Sequence, residues 1–166
     1  MHRPSQLGSA AAAHNVLVNT EWKWTNKICL RGVVYHSACY KRAKKSNSHQ
    51  VSFYHAIPGE ADPVVHFADI QYYVYGEYQE HHFVFAYVKC HTAINICAHE
   101  NAHIHQRYRG LKHARLADSQ ASGLSIVPAS SVISRVIFIR NQKLPLIAGV
   151  QPMFVSPDVD HKHEFE

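Results

Sequence analysis

Residues 64–75 read VVHFADIQYYVY, and residues 83–90 read FVFAYVKC. The first stretch is rich in β-branched and aromatic residues, which pack well on a pleated surface and favour an extended strand. In the second stretch bulky and small apolar residues alternate, so that both sides of the strand carry apolar side chains. We therefore expect these stretches to form the centre of a β-sheet. The second should be covered on both sides, and the first should end at Gly76 and Glu77.

Shorter runs of the same kind flank this centre. They lie at Lys27–Leu30, Val33–Tyr40, Gln50–Ile57, Leu124–Val127, Val132–Arg140 and Met153–Val155. Arg31 and Gly32 separate the first two runs, and glycine readily takes the positive φ that a tight hairpin turn requires. Six or seven short strands joined by turns predict a mainly β fold, either a small barrel or a sandwich.

The segment from residue 93 to residue 118 has a different pattern. Between Ala93 and Tyr108 apolar residues recur at helical spacing, and Gly110 is a suitable stop for a helix. A short helix and a long loop both fit this segment, which we expect to interrupt the strands.

The chain of 166 residues has the usual length of one domain. We expect that domain to span residues 21–155, with flexible tails at 1–20 and 156–166, where apolar residues are few. No run approaches the roughly 20 apolar residues of a membrane span. The N-terminus also lacks the pattern of a secretory signal. These features favour an intracellular protein without a membrane partner.

Several β-type segments resemble the C-terminal β-domain of transposon-encoded proteins from fungi and animals. The resemblance covers residues 30–140 and is carried by FADIQYYV from Phe67, FVFAYVK from Phe83, GLSIVP from Gly123 and VISRVIFI from Val132. Two features depart from that group: Ala68 stands where the group often has glycine, and a histidine-rich insert separates Cys90 from Gly123.

Such domains are similar to BAH-like modules, which are small β-folds that bind chromatin or protein partners. The resemblance thus implies a non-enzymatic binding module in the nucleus, with protein or nucleic acid in chromatin as its partner. It implies no small-molecule substrate and no cofactor.

A basic run and a group of tyrosines are the candidate binding residues. The run KRAKK at residues 41–45 supplies Lys41, Arg42, Lys44 and Lys45, and the net charge of +5 is compatible with an anionic partner. Tyr73 and Tyr75 belong to a cluster of strand tyrosines, and aromatic cages of a chromatin reader bind methylated ammonium groups. A solvated hairpin end and half-buried strand residues are the plainer interpretations of these two features.

A zinc site is the alternative. His99, Glu100 and His103 match the pattern H-E-x-x-H, in which two imidazoles one helical turn apart bind Zn²⁺ and the glutamate activates the metal-bound water. A third ligand is needed, and His105, His113 and Asp118 are candidates. This reading predicts a zinc-dependent protease or other hydrolase. In a chain with 15 histidines, a chance match is the competing explanation.

A structural zinc cluster is a further possibility in the same region. Its ligands would come from Cys90, His91, Cys97, His99, His103 and His105. Thiolate and imidazole groups are the ligands that structural zinc prefers, although this spacing matches no familiar zinc finger.

Overall fold

The computed structural model describes residues 18, 20–40, 48–55, 61–62, 64–94, 115–140 and 142–157. These residues form eleven strands, and the strand pairings are antiparallel. The strands are β1 Lys23–Thr25, β2 Lys27–Leu30, β3 Val33–His36, β4 Gln50–His55, β5 Val64–Tyr78, β6 His81–His91, β7 Ala93–Ile94, β8 Arg115–Asp118, β9 Gly123–Pro128, β10 Val132–Arg140 and β11 Pro152–Pro157. The predicted mainly β class is confirmed, with more strands than expected.

The additional strands are the shortest ones. β1, β7 and β8 have between two and four residues, too few for an alternating pattern to be recognised in a sequence. The predicted helix or loop at residues 93–118 begins with β7 and ends with β8, so both of its ends are strands instead. The remainder of that prediction, residues 95–114, lies outside the described residues.

The predicted central strands form a long hairpin of β5 and β6. β5 continues through Gly76 to Tyr78, so the expected end at Gly76 and Glu77 is wrong. The chain turns instead at Gln79 and Glu80, which both have positive φ. Gly76 stays within the strand because the ring of Trp22 covers it, and an added Cβ would lie 3.1 Å from Trp22 Cε3.

The predicted turn at Arg31 and Gly32 is confirmed. Both residues have positive φ, 52° and 81°, as a two-residue hairpin turn between β2 and β3 requires. The Arg31 guanidinium also donates a hydrogen bond to the carbonyl of Val132, which ties this hairpin to β10.

The large sheet curls on itself into a barrel. Its strand order is β7-β8-β11-β10-β4-β5-β6-β9, and β1 pairs with β5 beyond the end of β4. Only Thr92 separates β6 from β7, and the Asp118 amide donates to the Thr92 carbonyl at 2.9 Å. The strand pair β6–β7 therefore contacts β5 on one side and β8 on the other, which brings the two ends of the sheet together.

Apolar side chains fill the barrel and cover part of its outside. The interior cluster consists of Phe67, Ala117, Val136, Phe138, Met153 and Val155, all buried. A second cluster on the outer side of β4, β5 and β6 includes Phe53, Ile70 and Tyr73, and the β2–β3 hairpin packs over it through Tyr35. One face of the central strands therefore lines the barrel interior, and the other is covered by the β2–β3 hairpin. The candidate site lies where β5 and β6 extend beyond the barrel.

The ends of the domain lie close to their predicted positions. β11 runs to Pro157, two residues beyond the expected boundary at residue 155. Most of the predicted tails at 1–20 and 156–166 lies outside the described residues. Within the part of the chain that the structure describes, no helix has the length and apolar character needed to cross a bilayer.

Candidate functional site

The β5–β6 hairpin extends beyond the barrel, and one of its faces carries exposed aromatic and apolar side chains. This face is built by β1, β5, β6 and β9, which lie side by side. We call it the aromatic face. Its side chains are those of Trp22, Trp24, Tyr72, Val74, Phe83, Phe85, Tyr87, Lys89, Leu124 and Ile126.

Cross-strand pairing explains why these residues share one face. Trp24 lies opposite Val74, and Val74 lies opposite Phe85, so the three side chains form a row across β1, β5 and β6. A second row runs from Tyr72 through Tyr87 to Ile126. Directly opposed residues of antiparallel strands project from the same side of a sheet, so the rows produce a continuous surface.

A β-bulge at Gln71 determines which side chains of β5 project from the aromatic face. Ile70 lies opposite Val88, whereas Tyr72 lies opposite Tyr87, so β5 has one residue more than β6 at this point. Because of this extra residue, Ile70 and Tyr73 both face the outer core although one has an even and the other an odd number. Tyr72 consequently lies on the aromatic face.

The aromatic face is open to solvent where a core strand would be covered. Trp24 is 68% exposed, Ile126 is 62% exposed and Leu124 is 59% exposed. Phe85 and Tyr87 are half-buried, so the expectation that β6 is covered on both sides is wrong beyond the end of the barrel. A contiguous set of exposed apolar side chains is the usual mark of a binding surface.

The aromatic rings differ in how far they are already paired. The rings of Tyr72 and Tyr87 have centroids 4.7 Å apart, and those of Trp22 and Phe85 are 5.8 Å apart. The indole of Trp24 has no aromatic ring partner among the described residues. Trp24 therefore presents a ring whose face is free to stack against a ligand.

Charged side chains lie on both faces of this ribbon. Lys89 lies opposite Leu124 on the aromatic face, is exposed, and forms no ion pair with a described residue. Its neighbour on β5 is Asp69, whose side chain is mostly covered and contacts two histidines. Glu21 and Glu77 line a groove on the opposite side together with Lys23. Lys89 is therefore the exposed charge that the aromatic face offers to an anionic ligand.

A groove lies at one edge of the aromatic face. The groove has a volume of about 520 Å³ and is lined by Trp24, Asn26, Cys39, Tyr72 and Val74. The basic run begins at Lys41, two residues after Cys39 in the sequence.

The predicted binding residues fall into two groups. Lys41, Arg42, Lys44 and Lys45 lie outside the described residues. Tyr73 is fully buried in the outer core, and burial raises the pKa of its hydroxyl. Tyr75 is 41% exposed but projects from the face opposite Trp24 and Tyr72. The structure therefore brings Tyr72 and Trp24 together, and places Tyr73 and Tyr75 elsewhere.

The H-E-x-x-H residues His99, Glu100 and His103, together with His105, also lie outside the described residues. The zinc-hydrolase alternative therefore stays a prediction. Where the chain is described, no group of three or more histidine, cysteine, aspartate or glutamate side chains is arranged to hold a metal ion.

The structural zinc cluster stays a prediction, because Cys97, His99, His103 and His105 lie outside the described residues. Its first two members are described and lie on different faces of β6. Cys90 packs against the outer core, whereas the next residue, His91, projects into the barrel and is 2% exposed. Neighbouring residues of a strand point to opposite faces, so Cys90 and His91 cannot bind the same ion.

His91 forms a polar connection inside the barrel. Its Nδ1 lies 2.9 Å from the carbonyl oxygen of Asp118, which can only accept, so Nδ1 donates. Its Nε2 lies 3.2 Å from Asp69 Oδ2, which is also an acceptor when ionised. This network links β5, β6 and β8.

A second histidine flanks the same carboxylate. His49 Nε2 lies 3.6 Å from Asp69 Oδ1. Burial lowers the pKa of His49, and the negative charge of Asp69 partly opposes that shift. Asp69 thus contacts two histidines, His49 and His91, and these contacts connect neighbouring segments of the barrel.

The sequence contained signals for the aromatic face that its periodicity did not reveal. Trp24 lies in a strand of three residues, and Tyr72 changes face only because of the bulge. The best available signal was the pair of apolar residues Leu124 and Ile126 in a strand with no charged residue.

No family model matches the chain, and no curated protein or solved structure has significant similarity to it.

Proposed function

We propose that the chain is a non-enzymatic binding module of transposon origin that binds nucleic acid in the nucleus through its aromatic face. The observation that carries this proposal is the exposed aromatic face with the exposed Lys89 on it. The transposon origin and the nuclear location rest on the sequence resemblance alone.

Charge favours nucleic acid over a neutral protein partner. The chain has 17 lysines and arginines against 12 acidic residues. The basic run at residues 41–45 follows directly after the segment that lines the groove beside Trp24 and Tyr72. Lysine and arginine side chains that neutralise phosphates supply most of the affinity of sequence-independent nucleic-acid binding. Apolar rings beside such charges offer contacts to the bases.

The test is the salt dependence of binding to a fluorescent oligonucleotide, measured by anisotropy for the wild-type chain, Lys89→Gln and Lys23→Gln. Lys23 is the matched control, because it is an exposed lysine that projects from the opposite face of β1. We expect the slope of log affinity against log salt to fall by about 1 in Lys89→Gln and to stay unchanged in Lys23→Gln.

Two results would overturn the proposal. Absence of binding to both single- and double-stranded oligonucleotides at low salt would remove nucleic acid as the partner. Equal effects of the two lysine substitutions would remove the aromatic face as the site.

A further inference from the structure

We infer that the ligand of the aromatic face is an unpaired nucleic-acid strand, DNA or RNA, whose bases stack on Trp24 and on the Tyr72–Tyr87 pair. This inference rests on the proposed function and adds the strand state of the ligand and the residues that recognise it.

The shape of the site favours unpaired bases. Trp24, Val74 and Phe85 form a row across three strands, and Tyr72, Tyr87 and Ile126 form the next row. Adjacent strands lie about 4.8 Å apart, so the face from β1 to β9 is roughly 14 Å wide. Such a surface has room for two or three flat rings side by side. In a duplex the base faces are stacked on one another and only the edges of the base pairs are accessible.

The state of the rings favours stacking over hydrogen-bonded recognition of bases. Trp24 is 68% exposed and has no aromatic ring partner among the described residues. The other exposed side chains of the face, Leu124 and Ile126, have no polar atoms to distinguish one base from another. Stacking on aromatic rings accepts every base, so we expect little dependence on sequence.

The position of the positive charge agrees with a strand that crosses the sheet. Lys89 lies two residues beyond Tyr87 on β6 and on the same face. The groove beside Trp24 and Tyr72 lies at the opposite edge, next to the segment that precedes the basic run. A strand whose bases cover the rings can therefore have a phosphate near Lys89.

The experiment compares the affinity of four probes for the full chain by fluorescence anisotropy. The probes are single-stranded oligothymidylate and oligouridylate of about 12 nucleotides, a blunt duplex of the same length, and an abasic strand with the same phosphates. We expect the two single strands to bind at least about 10-fold more tightly than the duplex and the abasic strand. A preference between oligothymidylate and oligouridylate identifies DNA or RNA as the source of the strand.

Substitutions assign the effect to the rings. We expect Trp24→Ala to weaken single-strand binding by about 5- to 100-fold and Trp24→Phe to retain most of it. Tyr75→Ala is the matched control, since Tyr75 is an exposed aromatic residue on the opposite face of the neighbouring strand, and its affinity should equal that of the wild type. Thermal melting of each variant verifies that the fold is intact.

The outcomes separate this inference from the proposed function. Equal affinity for the single strand, the duplex and the abasic strand would overturn the inference, because phosphates alone would then be recognised, and the proposed function would stand. Absence of binding to all four probes would overturn both. A concentration-dependent dimer that Ile126→Glu dissociates, without binding to any probe, would instead identify the face as an interface between two copies of the chain.

Discussion

The rings of Tyr72 and Tyr87 lie directly opposite each other on β5 and β6, with centroids 4.7 Å apart. This pair exists because Gln71 is an extra residue in β5, which moves Tyr72 to the aromatic face and Tyr73 to the outer core. A single irregularity in one strand thus determines which tyrosines reach a ligand and which support the fold.

Deletion of Gln71 tests the role of the bulge. A one-residue slip of register turns every side chain of a strand to the opposite face. Without Gln71, the part of β5 on one side of the bulge would undergo such a slip relative to the other part. We expect the deletion to prevent stable folding. Gln71→Ala preserves the register and loses only the hydrogen bond to the Asp69 carbonyl, at a cost of about 1 kcal/mol. Urea unfolding followed by tyrosine and tryptophan fluorescence compares the variants, and similar midpoints would show that the bulge is dispensable.

Removal of His91 tests the polar connection inside the barrel. His91→Phe removes the hydrogen bond to the Asp118 carbonyl and leaves the mostly covered carboxylate of Asp69 with His49 alone. We expect the free energy of unfolding to fall by about 1–3 kcal/mol. Replacing Asp69 by leucine in the same chain should recover part of that loss, because the carboxylate that lost its hydrogen bond to His91 is then absent. A double-mutant cycle measures the coupling, and strictly additive effects would contradict a direct interaction.

Gly76→Ala tests the close approach of the segment before β1 to β5. The added methyl group would overlap Thr20 Cγ2 and lie 3.1 Å from Trp22 Cε3. We expect Trp22 to be displaced and the free energy of unfolding to fall by about 1–3 kcal/mol. The tryptophan emission maximum should shift to the red. Gly32→Ala provides a contrast, because no atom lies within 4 Å of its added Cβ and only its positive φ is strained. An unchanged emission maximum in Gly76→Ala would argue against this packing.

The histidines predict a loss of stability in mild acid. Burial lowers the pKa of His66, and the neighbouring His55 lowers it further. Burial also lowers the pKa of His49. A histidine with a lowered pKa in the folded chain binds its proton more readily when unfolded. Stability is therefore fully present above about pH 6.5, the ordinary pKa, and falls as the pH decreases below it.

Substitution of His66 measures its share of this pH dependence. His66→Phe keeps an aromatic ring next to Phe53, whose ring centroid lies 5.9 Å from that of His66, and removes the titrating group. Urea unfolding at about pH 7.5 and pH 5.5 should show a smaller difference in this variant than in the wild type. His82→Gln, at an exposed histidine near the hairpin turn, is the control and should retain the wild-type difference. The same acid-induced loss in His66→Phe as in the wild type would contradict the assignment.

Periodicity predicted the long strands but not their faces. The alternation in residues 83–90 identified β6 correctly, and residues 132–140 matched β10 at both ends. Alternation does not distinguish a covered face from an exposed one. Phe85 and Tyr87 would give the same sequence pattern if another layer covered them. The open face arises from topology. β5 continues past Asp69, the last of its residues that pairs with β4, and β6 pairs with this extension of β5.

The residues of the candidate site were harder to predict than the strands, because their positions depend on features that have no sequence pattern. The bulge at Gln71 has no signature in residue type, and it reversed the choice between Tyr72 and Tyr73. Trp24 reaches the site through a strand of three residues. The hairpin turn at Arg31 and Gly32 was predictable, because local backbone chemistry alone determines it.

The fluorescence of Trp24 in the variant Trp22→Phe tests the central claim most directly. This substitution leaves Trp24 as the single tryptophan and preserves an aromatic ring beside Phe85. Titration with oligothymidylate of about 12 nucleotides should quench the Trp24 emission with the same midpoint as the anisotropy change, because a base stacked on the indole quenches it. An emission that stays constant while the anisotropy reports saturated binding would show that no base reaches Trp24, and would contradict recognition through the aromatic face.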